Sequence, residues 1–381
     1  MDVFINDISS FLPNQPVTND EIEQVLGKIN DIPSITKKRM LDNNKILKRY
    51  YAIDPITHKF THTNAQLTAE AVRKLRPYDG FSLKDIKCLC CGSTSPDLLM
   101  PGHALMVAGE LKLPPCDAVS TAGICIAGMT ALKYACMNVE IGAVENAVAT
   151  GSELASSYMR ANYFNLEVDP NADIANQPIL AFNADFLRWM LSDGAGAAFV
   201  SKNKNEEGIS LKVEWIENYT FAGEFDTCMY AGGVKREDGS VMGWREKDNA
   251  IDAAAQNFLA VKQDTALLGR EIVNTAMGRT LKMVVDKYQL KPSDIDWYLP
   301  HYSSDYFKDK FYQAMKRIGF EIPYEKWFTN LPTTGNIGSA SIYVIMEELF
   351  KSNKLKKGQK LLCFIPESGR FSHCFMMLTV C

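Results

Sequence analysis

The stretch Asp117-Ala-Val-Ser-Thr-Ala-Gly-Ile-Cys-Ile-Ala-Gly-Met129 is the segment from which the fold and function are predicted most directly. Its pattern predicts a short strand over 117–120, a glycine turn, and a helix over 126–142. A thiol at a helix N-terminus feels the positive end of the helix dipole, which favours the thiolate. Cys125 is therefore a candidate nucleophile. A buried structural cysteine is the alternative that this segment alone leaves open.

Strands and helices are predicted to alternate on both sides of this segment, which favours a parallel sheet covered by helices on both faces. Before residue 201 the pattern predicts strands over 86–92, 117–120, 146–152 and 194–200 and helices over 63–75, 99–111 and 126–142. After a polar, glycine-rich stretch it predicts helices over 261–288, 306–318 and 338–350 and strands over 295–299, 360–365 and 374–380. The shared rhythm suggests duplication of an α/β unit, although no sequence repeat is evident.

The predicted organisation is an N-terminal half over 1–200 that carries Cys125 and a C-terminal half over 201–381. The C-terminal half includes an insertion at 201–250, interpreted as a linker strand followed by a long excursion. A chain of 381 residues with 46% hydrophobic content is ample for a large core.

The net charge and the hydropathy of the sequence exclude some classes of protein. The net charge is −4, and no basic excess or charge block indicates nucleic acid or a membrane surface. No window approaches the ~18 apolar residues of a transmembrane helix. The N-terminus, Met-Asp-Val-Phe-Ile-Asn-Asp, lacks the basic and apolar regions of a signal peptide, so we expect a cytoplasmic protein.

The ten cysteines are expected to be thiols in a reducing compartment. Cys88 and Cys91 have Cys-x-x-Cys spacing, but they lie in a predicted buried strand and no second pair exists. His58 and His62 have helical ligand spacing in a polar approach to a helix. We expect no metal and no cofactor, because neither pair has further ligands nearby.

Two further polar residues lie where functional groups cluster in α/β sheets. His301 directly follows the apolar strand predicted over 295–299, at a carboxyl end. There it could exchange a proton or donate to an oxyanion, or be an inert loop histidine. Asn336 lies between Gly335 and Gly338, either as an N-cap or as an amide donor facing a cleft. The turn around Gly369 could present backbone N–H groups to an oxyanion or merely close a hairpin.

Four segments together resemble the β-ketoacyl-acyl carrier protein synthase III group of the thiolase superfamily over nearly the whole chain. They are Ser-Thr-Ala-Gly-Ile-Cys-Ile-Ala-Gly (120–128), Leu-Ser-Asp-Gly-Ala-Gly-Ala-Ala (191–198), Asp-Trp-Tyr-Leu-Pro-His (296–301) and Gly-Asn-Ile-Gly-Ser-Ala-Ser (335–341). The resemblance implies a five-layered α-β-α-β-α fold built from two similar halves, and usually a homodimer. It also implies acyl carrier protein or coenzyme A thioesters as partners.

By this resemblance Cys125 is the acylated nucleophile, and His301 and Asn336 hold the thioester oxygen of the second substrate. The backbone N–H of Cys125, with one from around Ser368 or Gly369, would form the oxyanion hole. The chain departs from the family pattern by having Pro366-Glu-Ser-Gly-Arg-Phe-Ser-His373 in place of a glycine-rich run. The departures favour a specialised relative, such as the ketosynthases of dialkylresorcinol or flexirubin-type pigments, which join two acyl-derived chains.

Two groups of residues are assigned to substrate and carrier by the same resemblance. An acyl tunnel is predicted from apolar side chains that could equally be ordinary core: Met129, Met137, Leu154, Met159 and Phe164. Docking of an acidic carrier protein is predicted from basic side chains that could equally be solvated surface: Lys37, Lys38, Arg39, Lys48 and Arg49.

Other functions share some of these features. An initiating synthase would condense a malonyl thioester, and a non-catalytic partner subunit would usually lose the cysteine or the His–Asn pair. A 3-hydroxy-3-methylglutaryl-CoA synthase-like enzyme needs a glutamate base near the cysteine, and the sequence indicates none there. A cysteine peptidase also uses Cys, His and Asn in this order, but the segment around Cys125 lacks a peptidase-like pattern, and the strand–helix rhythm argues against this class.

Overall fold

A nine-stranded sheet is the main feature of the computed structural model, which describes residues 2–164, 186–255 and 258–381. The strand order is β13-β14-β15-β8-β1-β7-β6-β4-β5. These strands are β1 (Phe4–Phe11), β4 (Cys88–Ser93), β5 (Asp117–Ala122), β6 (Asn146–Glu153), β7 (Gly194–Ser201), β8 (Leu211–Thr220), β13 (Trp297–Pro300), β14 (Lys360–Glu367) and β15 (Ser372–Val380). Short strands form three further pairs: β2 (Val17–Thr18) with β3 (Lys48–Arg49), β9 (Met229–Tyr230) with β12 (Lys262–Gln263), and β10 (Gly233–Lys235) with β11 (Val241–Gly243).

The two halves of the sheet repeat one pairing pattern. In the first half β1 pairs antiparallel with β7, β7 antiparallel with β6, and β6 parallel with β4. In the second, β8 pairs antiparallel with β15, β15 antiparallel with β14, and β14 parallel with β13. The halves join where β1 pairs antiparallel with β8. The repeated topology agrees with a duplicated α/β unit, and the predicted α/β class is confirmed.

Helices cover the sheet, and strands β4 and β6 are buried along their whole length. This burial explains why both strands read as continuous apolar and small-residue runs rather than as alternating ones. The described α-helices are Ile22–Leu26, Lys37–Asn44, Asn64–Arg73, His103–Leu111, Ala127–Glu140, Ser156–Met159, Ala161–Phe164, Ala250–Ala255, Thr265–Val273, Lys282–Tyr288, Lys308–Arg317, Leu331–Thr334 and Ser341–Phe350. A π-helical segment, Asn274–Leu281, makes the helix predicted over 261–288 continuous from residue 265.

The small residues after Cys125 let the two halves approach closely. A Cβ added at Gly128 would lie 2.4 Å from the backbone oxygen of Ser339, and one at Gly151 would lie 2.2 Å from that same oxygen. The start of helix Ala127–Glu140 therefore lies directly against the turn that precedes helix Ser341–Phe350. This contact brings the segments of Cys125 and Asn336, which are distant in sequence, to one place.

The stretch predicted as a linker strand and excursion divides into two parts. Its first part is β8, ten residues of the main sheet. The second part, 221–263, leaves the sheet and contains the hairpin of β10 and β11 and the pair of β9 and β12. None of the helices in the described ranges is long and apolar enough to cross a membrane.

Candidate active site

A cavity of about 780 Å³ lies where the carboxyl ends of β5, β6 and β14 meet the excursion. Cys125, Asn336, Ser368 and Gly369 all line it. Most of the wall is apolar and comes from both halves of the chain. The excursion supplies part of it through Met229, Tyr230, Trp244 and Val261, and helices of the C-terminal half supply Leu268, Ile272, Phe307 and Phe311. The volume and the apolar lining suit a small-molecule ligand with an aliphatic portion.

Cys125 lies in the turn between β5 and helix Ala127–Glu140, and its side chain is partly accessible from the cavity. Burial raises the pKa of its thiol well above the ordinary value, and the carboxylates of Glu367 and Glu153 raise it further. The sequence-based expectation that the helix dipole favours the thiolate is therefore wrong for the resting site. The helix begins two residues later, and both burial of the thiol and the two nearby carboxylates oppose its ionisation.

Glu367 is buried at the end of β14, and its carboxylate lies against the turn of Cys125. Its Oε2 accepts hydrogen bonds from the N–H of Ile124 at 2.8 Å and of Ile126 at 3.3 Å. Burial raises the pKa of this carboxyl, and these two bonds oppose the rise. Sequence analysis missed Glu367 because 242 residues separate it from Cys125.

Glu153 is a second buried carboxyl beside the thiol, and it lines the cavity. Its Oε1 accepts hydrogen bonds from the N–H and Oγ1 of Thr94 and from the N–H of Ser339. Burial raises its pKa to about 7. The sequence held a signal for Glu153, because it directly follows the strand predicted over 146–152, whose carboxyl end lies at the same edge of the sheet as those of its parallel neighbours. The prediction that no glutamate lies near Cys125 is therefore wrong, because Glu153 and Glu367 both act on its thiol.

Asn336 lies in the turn that precedes helix Ser341–Phe350. Its Oδ1 accepts a hydrogen bond from the N–H of Gly338 at 2.9 Å, which fixes the orientation of the amide. Its backbone N–H donates to the oxygen of Met190 at 3.0 Å, and its own oxygen accepts from the N–H of Ser192 at 2.8 Å. Within the described ranges its Nδ2 has no partner, so the amide can donate to a group in the cavity.

His301 follows β13 directly and is buried, with 3% of its surface exposed. Its backbone N–H donates to the oxygen of Phe364 on β14 at 2.8 Å. Burial lowers the pKa of its imidazole to about 4, so the ring is neutral near pH 7. His301 is not itself among the residues that line the cavity, whereas Ser303 and Pro366, on the same two chain segments, are.

Three backbone N–H groups near the thiol are candidates for an oxyanion hole. The N–H groups of Cys125, Ser368 and Gly369 donate to no other residue that the structure describes. The turn of Ser368 and Gly369 is held by the excursion, because the oxygen of Gly369 accepts from the N–H of Cys228 at 2.8 Å. Backbone donors that no other residue occupies, beside a nucleophile, are what an acyl-transfer site requires.

The residues predicted for the acyl tunnel divide between cavity, core and surface. Leu154 and Met159 line the cavity. Met129 is instead wholly buried in the core, and Met137 is 49% exposed. The side chain of Phe164 lies outside the described part of the chain.

The predicted docking patch is wrong at Arg49, which is fully buried. Its guanidinium donates to the backbone oxygen of Trp189 and to Oδ1 of Asn19. Arg49 alternates with exposed Lys48 along β3, so its side chain points inward. Lys37 forms an ion pair with Glu23 at 3.1 Å, while Lys38 and Arg39 are exposed.

Part of the chain matches a family model, and nearly all of it is similar to known enzymes. Residues 285–366 match the family model described as 3-oxoacyl-[acyl-carrier-protein] synthase III C terminal. The chain is 24% identical to β-ketoacyl-[acyl-carrier-protein] synthase III of Helicobacter pylori over 362 residues, which cover 94% of this chain and 92% of that protein.

Solved structures show the same fold. AbyA1, a tetronic acid condensing enzyme, is 18% identical with a TM-score of 0.75, and the match covers 99% of each chain. Xanthomonas campestris OleA with bound lauric acid and lauroyl-CoA is 17% identical with a TM-score of 0.74, covering 100% of this chain and 99% of that one. The duplicated thiolase-like architecture predicted from sequence is thereby confirmed. The chain is a condensing enzyme similar to β-ketoacyl-[acyl-carrier-protein] synthase III over nearly its whole length.

Proposed function

We propose that this chain is an acyltransferase (ketosynthase) that forms a C–C bond by Claisen-type condensation through an acyl-Cys125 intermediate. It joins acyl and β-ketoacyl thioesters in specialised lipid or alkylresorcinol biosynthesis. One observation carries the proposal: Cys125, an unpartnered Asn336 amide and free backbone donors surround one apolar cavity. The aliphatic chain of a fatty acyl group matches such a lining.

In the first step the sulfur of Cys125 attacks the carbonyl carbon of the acyl thioester. The C–S bond to the carrier breaks, and the thiol proton of Cys125 ends on the departing carrier sulfur. The N–H groups of Cys125 and of Ser368 or Gly369 stabilise the intervening oxyanion. This assignment agrees with the absence of other partners for those groups in the described ranges.

In the second step a β-ketoacyl thioester loses its α-proton. Glu153 is the carboxylate that the structure places on the cavity wall, and its raised pKa suits a general base. We assign the hydrogen bonds to the enolate oxygen to Asn336 Nδ2, which lines the cavity, and to His301 Nε2, on the role that the family resemblance implies for this histidine. The α-carbon then bonds to the acyl carbon, the acyl–sulfur bond breaks, and Glu153 returns the proton to Cys125.

Deprotonation by Glu153 favours a β-ketoacyl over a malonyl second substrate. A malonyl thioester generates its carbanion by losing carbon dioxide and needs no base on the wall. A β-ketoacyl thioester keeps all its carbons and must transfer a proton to a nearby acceptor. The position of Glu153 therefore supports the specialised ketosynthase over an initiating synthase.

The proposed partners are acyl carrier protein or coenzyme A thioesters, and the proposed assembly is a cytoplasmic homodimer. Leu98, Leu99 and Met100 form an exposed apolar loop, with Leu99 and Met100 each more than three-quarters exposed. Exposed apolar clusters of this kind are typical of association surfaces. Leu99 also lines the cavity, so a subunit seated on this loop would lie close to the mouth.

The deciding experiment measures the intact mass of the protein after incubation with short and medium acyl thioesters. We expect a stable acyl adduct on the wild type and none on Cys125→Ala. Addition of a β-ketoacyl thioester should discharge the adduct and release a condensed product. Absence of an adduct with every thioester tested would favour a non-catalytic partner subunit and overturn the proposal.

A further inference from the structure

Glu367 lies between the two turns that carry the candidate oxyanion donors. Its Oε2 bonds to the N–H groups of Ile124 and Ile126, on either side of Cys125. Its Oε1 lies 3.2 Å from the position that a Cβ on Gly369 would occupy. One buried carboxylate therefore contacts the nucleophile turn and adjoins the turn of Ser368 and Gly369.

In the nucleophile turn, one N–H group donates to no other residue that the structure describes. Of the N–H groups at 124–127, those of Ile124 and Ile126 are taken by Glu367, and that of Ala127 donates to the oxygen of Ile124 at 3.2 Å. The N–H of Cys125 alone has no partner in another described residue. The two bonds of Glu367 fix the peptide planes on both sides of this N–H and so fix its direction.

We propose that Glu367 is a positioning residue: its two hydrogen bonds align the N–H of Cys125 for acyl transfer, and they hold a buried carboxylate against the nucleophile turn. The proposal rests on the proposed acyl-Cys125 intermediate and adds to it a residue that touches neither substrate. This role explains why the chain has Glu367 where the family has a glycine-rich run, because a glycine at 367 could provide neither the hydrogen bonds nor the charge.

The charge has a defined effect on the thiol. Glu367 and Glu153 are the two charged side chains that act on Cys125, and both disfavour the thiolate. The groups of the described chain that favour ionised Glu367 are the N–H groups of Ile124 and Ile126. Loss of the Glu367 charge should therefore lower the pKa of the Cys125 thiol, although the helix and the cavity stay unchanged.

Two substitutions distinguish the effect of the hydrogen bonds of Glu367 from the effect of its negative charge. Glu367→Gln keeps an oxygen that can accept both N–H groups but removes the charge. Glu367→Asp keeps the charge but is one methylene shorter, so it withdraws from the turn. Glu206→Gln, at an exposed position, is the matched control for loss of a distant carboxylate.

The experiment compares two reactions of Cys125 from pH 6 to 10 in the full-length protein. Alkylation by iodoacetamide, read on the peptide that contains Cys125, reports the thiolate and needs no oxyanion hole. Acylation by an acyl thioester, measured by intact mass in a single turnover, needs both the thiolate and the oxyanion hole. Because alkylation is independent of condensing activity, it tests the charge effect even if no thioester acylates the wild type.

We expect Glu367→Gln to raise the rate of alkylation by about tenfold at each pH below the pKa of the thiol, while acylation stays within about threefold of the wild type. We expect Glu367→Asp to leave the alkylation rate in place and to slow acylation by about tenfold or more. An unchanged alkylation rate in Glu367→Gln, or wild-type acylation in Glu367→Asp, would overturn the proposal. A wild type that is alkylated but never acylated contradicts the proposed function instead.

Discussion

The hydroxyl of Tyr343 donates a hydrogen bond of 2.7 Å to the backbone oxygen of Gly128, so a helix of the C-terminal half is fastened to the first turn of the nucleophile helix. Tyr343 is fully buried, and Gly196 of β7 leaves the space for its ring, since a Cβ there would lie 2.3 Å from Cβ of Tyr343. The bond holds the segments of Cys125 and Asn336 together, because Cys125 lies three residues before Gly128 and Asn336 lies seven residues before Tyr343.

We expect Tyr343→Phe to lower the free energy of unfolding by about 1 kcal/mol, the usual net value of a buried hydrogen bond whose ring is retained. Gly128→Ala should cost more, about 1–3 kcal/mol, because the added methyl would lie 2.4 Å from the oxygen of Ser339. Urea denaturation of both variants measures these values. An alanine variant as stable as the wild type would contradict the close approach of the two halves.

Asn336→Ala and His301→Ala should separate the two chemical steps. Neither side chain is needed to acylate Cys125, so we expect the acyl adduct to form at near the wild-type rate. Condensation should fall by about 10²–10³-fold in each variant, because each removes one donor to the enolate oxygen. Product formation by mass spectrometry from the isolated acyl-enzyme measures the second step alone. Condensation at the wild-type rate would remove these residues from the mechanism.

Local signals were enough to predict the strand, turn and helix around Cys125. Strand β5 and helix Ala127–Glu140 lie within two residues of the predicted starts, since periodicity and small residues report the backbone directly. The contact of Glu367 with Ile124 could not be predicted, because it depends on the register of β14 and on how the halves pack. The prediction that Arg49 is exposed failed for a related reason. A run of basic residues indicates an exposed surface, but side chains alternate along a strand, so β3 exposes Lys48 and buries Arg49.

Glu153→Gln should distinguish deprotonation from decarboxylation. The amide oxygen can still accept the hydrogen bonds of Thr94 and Ser339, so the cavity should keep its shape. We expect condensation with a β-ketoacyl thioester to fall by about 10²-fold or more, the usual contribution of a general base. Condensation with a malonyl thioester, where it occurs, should be unaffected. Equal loss with both substrates would show that Glu153 acts through structure and not as a base.

The raised pKa of Glu153 should also make the free energy of unfolding depend on pH. Glu153 has a pKa raised to about 7 from its ordinary value of 4.5, so the folded state retains a proton that the unfolded chain loses. Its contribution to stability is complete below about pH 4.5 and is lost as the pH rises through 7. Relative to Glu153→Gln, the wild type should therefore lose unfolding free energy between pH 5 and 8. Urea denaturation across this range measures the difference, and a constant difference would contradict the raised pKa.

Trp244 should limit the acyl chain that the cavity accepts. It follows the hairpin of β10 and β11, lines the cavity, and is held by its backbone N–H, which donates to the oxygen of Gly232 at 2.8 Å. A Cβ added at Gly232 would lie 3.4 Å from Cδ1 of Trp244, so the indole packs against Gly232, which also lines the cavity. Because this wall belongs to the excursion and not to the sheet, Trp244→Ala should enlarge the cavity with little loss of stability.

Competition among acyl thioesters of increasing length, measured as adducts on Cys125, tests this prediction. The preferred chain length should increase in Trp244→Ala and should increase less in Trp244→Phe. An unchanged length preference in Trp244→Ala would show that the chain lies elsewhere in the cavity.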